Sequence, residues 1–180
     1  GSQDLSYVKN AFEKASDKPI YILKSTVLPG TTDSLNINYK NIKIIFSPEF
    51  LTEKNSKKDI INPSRIILGG QNNLIDKAKK LFQLRFESEK IILTDSKTAE
   101  LIKYMNNTFL ATKVSIMNEF KLLNDYIGAN WEDALNGFSS DLRIGSSHMN
   151  VPGHDGKLGY GGTCFPKDVN AILSFSKKHG

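Results

Sequence analysis

From Ser96 to Ile127 the chain contains neither proline nor glycine, and Gly128 closes the run. So long a stretch of helix-forming residues, with Ser96 placed as an N-cap and a glycine at the far end, predicts one continuous α-helix. No heptad is sustained along it, which argues against a coiled coil. The segments before it read differently. Tyr7, Val8, Ala11, Phe12 and Ala15 have the spacing of one helical face, and Pro19 ends that pattern. Ile20–Leu23, Ile42–Phe46, Arg65–Leu68 and Lys90–Leu93 are short aliphatic runs, apolar on both faces, as parallel strands covered by helices should be. A helical pattern over Leu74–Phe86, after the turn signal Gly69–Gly70, separates the last two of them. This β-α-β alternation predicts a doubly wound arrangement with right-handed crossovers.

Beyond Gly128 the chain is helical again but interrupted. Asn130 is placed to cap a short helix over Trp131–Leu135, and Pro166 suits the first turn of a last helix ending near Lys178. Between them, Gly137 to Gly162 is rich in Gly, Ser and Asn, contains Pro152 and has no periodicity. A loop of that length inside a compact domain is functional or disordered.

Composition narrows the class of protein. At 180 residues the chain suits one domain or two small ones, and 39% hydrophobic with 24% charged residues excludes a disordered or low-complexity chain. No apolar run approaches the ~20 residues of a membrane-spanning helix. The start, Gly1–Ser2–Gln3–Asp4, is polar, so no signal peptide is expected, and the missing initiator Met is expected of a piece of something longer. A single cysteine forms no internal disulfide, which makes the cytoplasm the expected compartment. The net charge of +5 comes with scattered lysine pairs, Lys57–Lys58, Lys79–Lys80 and Lys177–Lys178, rather than a basic stripe. No nucleic-acid partner is expected from that pattern, whereas a small anionic ligand such as a nucleotide diphosphate suits it.

Four groups of residues carry chemistry. Cys164 lies in Gly159–Tyr160–Gly161–Gly162–Thr163–Cys164–Phe165–Pro166–Lys167–Asp168. Its glycines permit positive φ and close approach of a ligand, while the helix start at Pro166 and the charge of Lys167 favour a thiolate, the recipe for a nucleophile. Lys103 and Asn107 sit four apart on the long helix and project from one face. Glu49 and Glu53 follow the strand ending at Phe46, and Ser25–Thr26 follow the strand ending at Leu23. Both pairs are at the carboxyl ends of strands, where open α/β sheets bind ligands. His148, His154 and His179 have no metal-like spacing, and no Gly-x-Ser-x-Gly elbow is present, so neither a metal site nor a serine hydrolase is expected.

Taken in order, Lys24–Ser25–Thr26–Val27, Ser47–Pro48–Glu49–Phe50–Leu51, Asn62–Pro63–Ser64–Arg65–Ile66, Ala99–Glu100–Leu101–Ile102–Lys103 with Asn107, Asp141–Leu142–Arg143–Ile144–Gly145 and the cysteine block resemble the UDP-glucose/GDP-mannose dehydrogenase family. The Pro–Glu–Phe–Leu wording resembles its UDP-glucose enzymes more than its GDP-mannose or N-acetylmannosamine ones. The resemblance implies a partial Rossmann-like parallel sheet over residues 1–94, the latter part of an NAD-binding domain. Residues 95–180 then start an all-helical central domain. It also implies NAD as cofactor, a nucleotide sugar as substrate, two successive oxidations of its 6-hydroxymethyl group, and a homodimer or larger assembly.

On that pattern Cys164 captures the aldehyde, and Lys103 and Asn107 steady the oxyanion. Asp168 acts with Thr26 on a water and proton path, and Glu49 serves acid–base steps of thioester hydrolysis. Glu49, Phe50, Leu51, Lys103, Asn107, Gly159, Tyr160 and Gly161 line the sugar site, which Arg143 reaches from a neighbouring subunit. Ser25, Thr26, Glu53 and Lys167 touch NAD.

The family's opening Gly-x-Gly-x-x-Gly is not found in this chain, nor is its C-terminal nucleotide-closing domain, and Ser146–Gly156 is longer than in its shorter members. The isolated chain is therefore expected to be inactive. A non-catalytic dimerisation module is the alternative from another class. A single-oxidation relative, such as a 3-hydroxyacid dehydrogenase, also places Lys and Asn one turn apart, but it needs no thiol trap like Cys164.

Overall fold

The computed structural model describes residues 4–52 and 55–179, without the side chain of Glu89. The chain forms two compact units, Gly1–Met105 with Ala171–Gly180, and Asn106–Asn170.

In the first unit the elements run α1 (Ser6–Glu13), β1 (Ile20–Leu23), α2 (Thr31–Asn38), β2 (Lys43–Phe46), α3 (Ser56–Ile61), β3 (Ile66–Gly69), α4 (Asn72–Phe82), a single 3-10 turn at Ser88–Lys90, β4 (Ile91–Thr94) and the start of α5 (Ser96–Ile127). The strands stand in the order β1-β2-β3-β4. β1 and β2 are parallel, with Ile20 opposite Lys43 and Leu23 opposite Phe46, and so are β3 and β4, with Ile66 opposite Ile91. β2 and β3 meet antiparallel, at Phe46 and Gly69. The sheet is the expected Rossmann-like parallel one, mixed at its middle junction. Among the described residues the link from β2 to β3 holds the six-residue α3 between Pro48 and Pro63, and it returns the chain to the end it left, so β3 runs back along β2.

Strand alternation builds a core on each face. Ile44, Phe46 and Ile67 pack with Phe12, Leu35 and Ala99, while Ile45, Ile66 and Leu68 pack with Leu74, Ile75 and Ala78. Each Ile, Leu and Phe side chain among them contributes about 1.5–3 kcal/mol by leaving water. β3 ends so close to α5 that a Cβ on Gly69 would stand 2.4 Å from the Ala99 Cβ and 2.8 Å from the Asp95 carbonyl oxygen. Asp95, not Ser96, caps α5: its carboxylate accepts from the Thr98 N–H at 2.9 Å and the Thr98 hydroxyl at 2.6 Å. Asn36 of α2 closes part of the gap beside β2, accepting from Ile44 N–H at 3.0 Å and donating to Ile44 O at 2.9 Å.

The second unit contains the rest of α5, α6 (Trp131–Ser139) and the first turns of α7 (Cys164–His179). The Asn130 side chain accepts from Glu132 N–H at 3.0 Å and Asp133 N–H at 3.3 Å, the cap that its position implied. α6 continues past Leu135 to Ser139. The segment between α6 and α7 lacks regular structure but is anchored. Met149 and Val151 are buried with Met117, against Trp131, Leu135 and Ile144. Lys113 donates to Gly145 O at 2.7 Å and to Ile144 O at 3.2 Å, and Asn118 Oδ1 accepts from Gly159 N–H at 2.8 Å.

Candidate active site

In the first unit, the loops that leave β1 and β2 carry the candidate residues. Ser47 N–H donates to Leu23 O at 2.9 Å, tying the second loop to the end of β1. Lys24 and Glu49 form a 3.4 Å ion pair between half-exposed side chains, an arrangement of little net worth in water. Lys103 is 8% exposed, and its ammonium donates to the Glu49 carbonyl oxygen at 2.6 Å. The same ammonium lies 5.4 Å from the centre of the Phe50 ring, and the Arg65 guanidinium lies 4.0 Å from it. Two cations thus lie within reach of one half-buried aromatic, whose ring face attracts them. Phe50, Leu51, Ser64 and Arg65 line a cleft of about 570 Å³ in this unit. Ser25 is exposed and Thr26 half-buried at the carboxyl end of β1. Glu53 lies outside the described residues.

In the second unit, Cys164 starts α7 with its thiol exposed, 3.8 Å from the Thr163 hydroxyl. Asp168 follows one turn later and is 1% exposed. One of its oxygens accepts from Asn107 Nδ2 at 2.6 Å, and the other contacts the Lys167 ammonium. Asn107, Lys167 and Asp168 therefore form one cluster, and Lys103, Glu49 and Phe50 another. α5 carries Lys103 in its first-unit portion and Asn107 at the start of its second-unit portion.

Gly159 and Gly162 have φ of 80° and 72°, the left-handed conformation that their residue type permits. The rings of Tyr160 and His148 each pack on Phe165, at 6.5 Å and 5.7 Å. His148 has its pKa pushed below 6.5 by burial and by the charge of Lys113. Arg143, with its side chain 88% exposed, is gripped by the Asp141 carboxylate, which raises the guanidinium pKa and is itself held down by it.

Among the described residues no group of three or more His, Cys, Asp or Glu could hold a metal ion. Nor, among them, is any helix long and apolar enough to cross a membrane.

Residues 1–85 match the NAD binding domain, and residues 97–180 the central domain, of the UDP-glucose/GDP-mannose dehydrogenase family. The chain belongs to that family. A UDP-glucose 6-dehydrogenase of Rickettsia bellii is 37% identical across 99% of this chain, and one of Rickettsia conorii 34% identical across 99%. The solved structure of a UDP-glucose dehydrogenase from Pyrobaculum islandicum superposes with a TM-score of 0.84 at 30% identity, over 99% of this chain and 43% of that one. The chain spans about 42% of the length of the two rickettsial relatives.

The family's NAD-binding domain implies the dinucleotide, and the loop after β1 offers a test of fit. Ser25 and Thr26 present hydroxyls at the carboxyl end of a parallel strand, where a dinucleotide binds in such sheets, so these residues fit it. The start of α2 does not supply the anion cradle, because the N–H groups of Gly30 and Thr32 already donate to Glu100, at 2.5 and 2.8 Å.

Sequence reasoning gave no role to Glu100, Lys113 or Asn118. The signal was present for two of them. Glu100 stands beside Ala99 and Asn118 beside Met117, on faces of α5 that the apolar spacing assigns to the interior.

Proposed function

We propose that the whole protein oxidises UDP-glucose to UDP-glucuronate in two NAD-dependent steps, with Cys164 as its nucleophile. The observation that carries this reading is the first turn of α7: an exposed thiol at a helix start, followed one turn later by a buried carboxylate that Asn107 and Lys167 hold. Ser25, Thr26, Glu53 and Lys167 are the residues assigned to NAD, and Glu49, Phe50, Leu51, Gly159, Tyr160 and Gly161 line the sugar site. When bound, NAD accepts the hydride lost in each of the two oxidations.

The thiolate sulfur of Cys164 adds to the aldehyde carbon, and the new C–S bond turns the carbonyl oxygen into an oxyanion. Lys103 and Asn107 are the donors assigned to it, a buried ammonium and an amide that give charge stabilisation without reorganisation. Loss of hydride from the thiohemiacetal carbon leaves a thioester. Water then breaks the C–S bond, with Glu49 as the acid–base group and Asp168 and Thr26 on the proton path, and the thiol is restored. A thiol with this task must stay reduced, which supports a cytoplasmic setting. Residues 1–94 are assigned to the NAD-binding domain and 95–180 to the central domain.

We also propose that two copies pair through α5, with Arg143 serving the neighbouring copy's site. Phe109, Ile116, Phe120 and Leu123 are exposed along that helix at spacings of three to seven residues, one apolar stripe. In the full-length protein, NADH absorbance with UDP-glucose should show two NADH per UDP-glucuronate, and Cys164→Ser should abolish product. Turnover unchanged in that variant overturns the nucleophile. One NADH per product indicates a single-oxidation enzyme, and a dimer without turnover indicates an interaction module.

A further inference from the structure

The loop that carries Ser25 and Thr26 ends at an unusual cap. α2 begins after Gly30, which sits at a φ of 92° and, as a glycine, has no side chain to cap the helix. The cap comes instead from α5. Glu100 Oε2 accepts from Gly30 N–H at 2.5 Å, and Oε1 accepts from Thr32 N–H at 2.8 Å and from the Thr32 hydroxyl at 2.6 Å. Glu100 and Thr32 are both 0% exposed. Three donors of one short segment thus converge on one carboxylate, and the two from Thr32 are buried where water cannot replace them. Three residues further along α5, Lys103 holds the carbonyl of Glu49 in the loop after β2. One turn of α5 therefore grips both strand-end loops, the first by a carboxylate and the second by an ammonium.

We infer that Glu100, with Thr32 as its partner, is a positioning residue that sets the conformation of the Ser25–Thr26 loop for the reaction. This rests on the oxidation proposed above. The neighbouring charges fit a role in holding rather than in proton transfer. Asp33 lies within electrostatic reach of Glu100 and is paired with Lys97 at 3.7 Å, so the groups around the cap are engaged with one another. The loop is also anchored at Val27, 1% exposed in the core, so its two fixed points are Val27 and the Glu100 cap, with Leu28 and Pro29 between them. Thr26 precedes the first of these points directly.

Replacing the carboxylate with an amide turns an NH2 group against a backbone N–H, so Glu100→Gln loses at least one of the three bonds. The test is hydrogen exchange and steady-state kinetics on the full chain carrying Glu100→Gln, Thr32→Val or Thr32→Ser. In Glu100→Gln, exchange of the amides between Lys24 and Thr32 should rise about tenfold, the equivalent of losing about one buried hydrogen bond, while β3 and α4 amides are unchanged. The kcat should fall about 10- to 100-fold with KM for UDP-glucose unchanged, the signature of a small misplacement rather than of lost binding. Thr32→Val should follow in the same direction, and Thr32→Ser, which keeps the hydroxyl, should restore both readouts.

Exchange that rises equally across β3 and α4 makes Glu100 a general stabiliser and overturns the proposal. So does a loosened loop with unchanged kcat. If Glu100→Gln does not fold, Thr32→Val decides by the same readouts. If the wild-type protein oxidises no UDP-glucose, the reading of function has failed, while exchange in the loop still decides whether Glu100 holds it.

Discussion

Asn107 on α5 donates its side-chain amide to the Asp168 carboxylate on α7 at 2.6 Å, joining residues 61 positions apart at a site from which water is excluded. The pair orients the carboxylate, and the amide's own geometry leaves its carbonyl oxygen facing elsewhere. Removing the amide in Asn107→Ala strands a carboxylate oxygen out of water. We expect a loss of about 1–3 kcal/mol in stability, read from urea unfolding. Asp168→Asn keeps an oxygen that accepts from Asn107 and turns its NH2 toward Lys167, so it should destabilise by less, whereas a stability unchanged in Asn107→Ala would mean that the pair is not formed in solution.

Gly69→Ala is expected to destabilise by about 1–3 kcal/mol through overpacking, because the new Cβ meets both the Ala99 Cβ and a backbone oxygen that cannot rotate away. The double variant Gly69→Ala/Ala99→Gly removes the first clash but keeps the second and adds a helical glycine. It should recover only part of the loss in thermal melting.

A half-buried histidine and a buried glutamate give stability opposite pH dependences. His148 has its pKa lowered from 6.5, first by burial and then by Lys113. Its neutral form is favoured on folding, so its contribution is present above 6.5 and is lost as pH falls through that value toward the folded pKa. Glu100 has its pKa raised from 4.5, first by burial, against the opposing bonds from Thr32 and Gly30. Its contribution is present below 4.5 and is lost as pH rises through the folded value. Urea midpoints against pH should flatten near neutrality in His148→Gln and in the acidic range in Glu100→Gln. An unchanged profile in either would assign the slope to other groups.

The exposed stripe on α5 predicts self-association. Phe109 is 67% exposed, and Phe109→Glu should convert a dimer into a monomer in sedimentation at high micromolar concentration. A wild-type chain that sediments as a monomer would remove the route by which Arg143 reaches a neighbouring site.

Much of the fold is legible where the determinants are local. Ile20–Leu23 and Ser96–Ile127 have the bounds that their residues imply, because aliphatic runs and an unbroken helical stretch declare themselves. α2 does not declare itself. Thr31–Asn38 holds Thr, Asp, Ser and Asn, poor helix formers, and its start is secured by Glu100 from 68 to 70 residues away. The antiparallel step from β2 to β3 is equally non-local, since aliphatic strands read alike in either direction. At the site, the sequence groups Lys103 with Asn107 by helical spacing. In the structure Lys103 binds the Glu49 carbonyl and Asn107 binds Asp168, partners that spacing along one helix cannot reveal.

The Glu100 cap also has a history within each newly made chain. Gly30 and Thr32 leave the ribosome about 70 residues before their acceptor does, which at about 5–20 residues per second is roughly 3–14 s of synthesis. β1 is made before that interval and β2 within it, but the loop after β1 has only water for its three donors. Translation thus delivers the strands before the carboxylate that fixes the loop between them, and a ribosome stalled before the Glu100 codon would hold a nascent chain with that loop still unlatched.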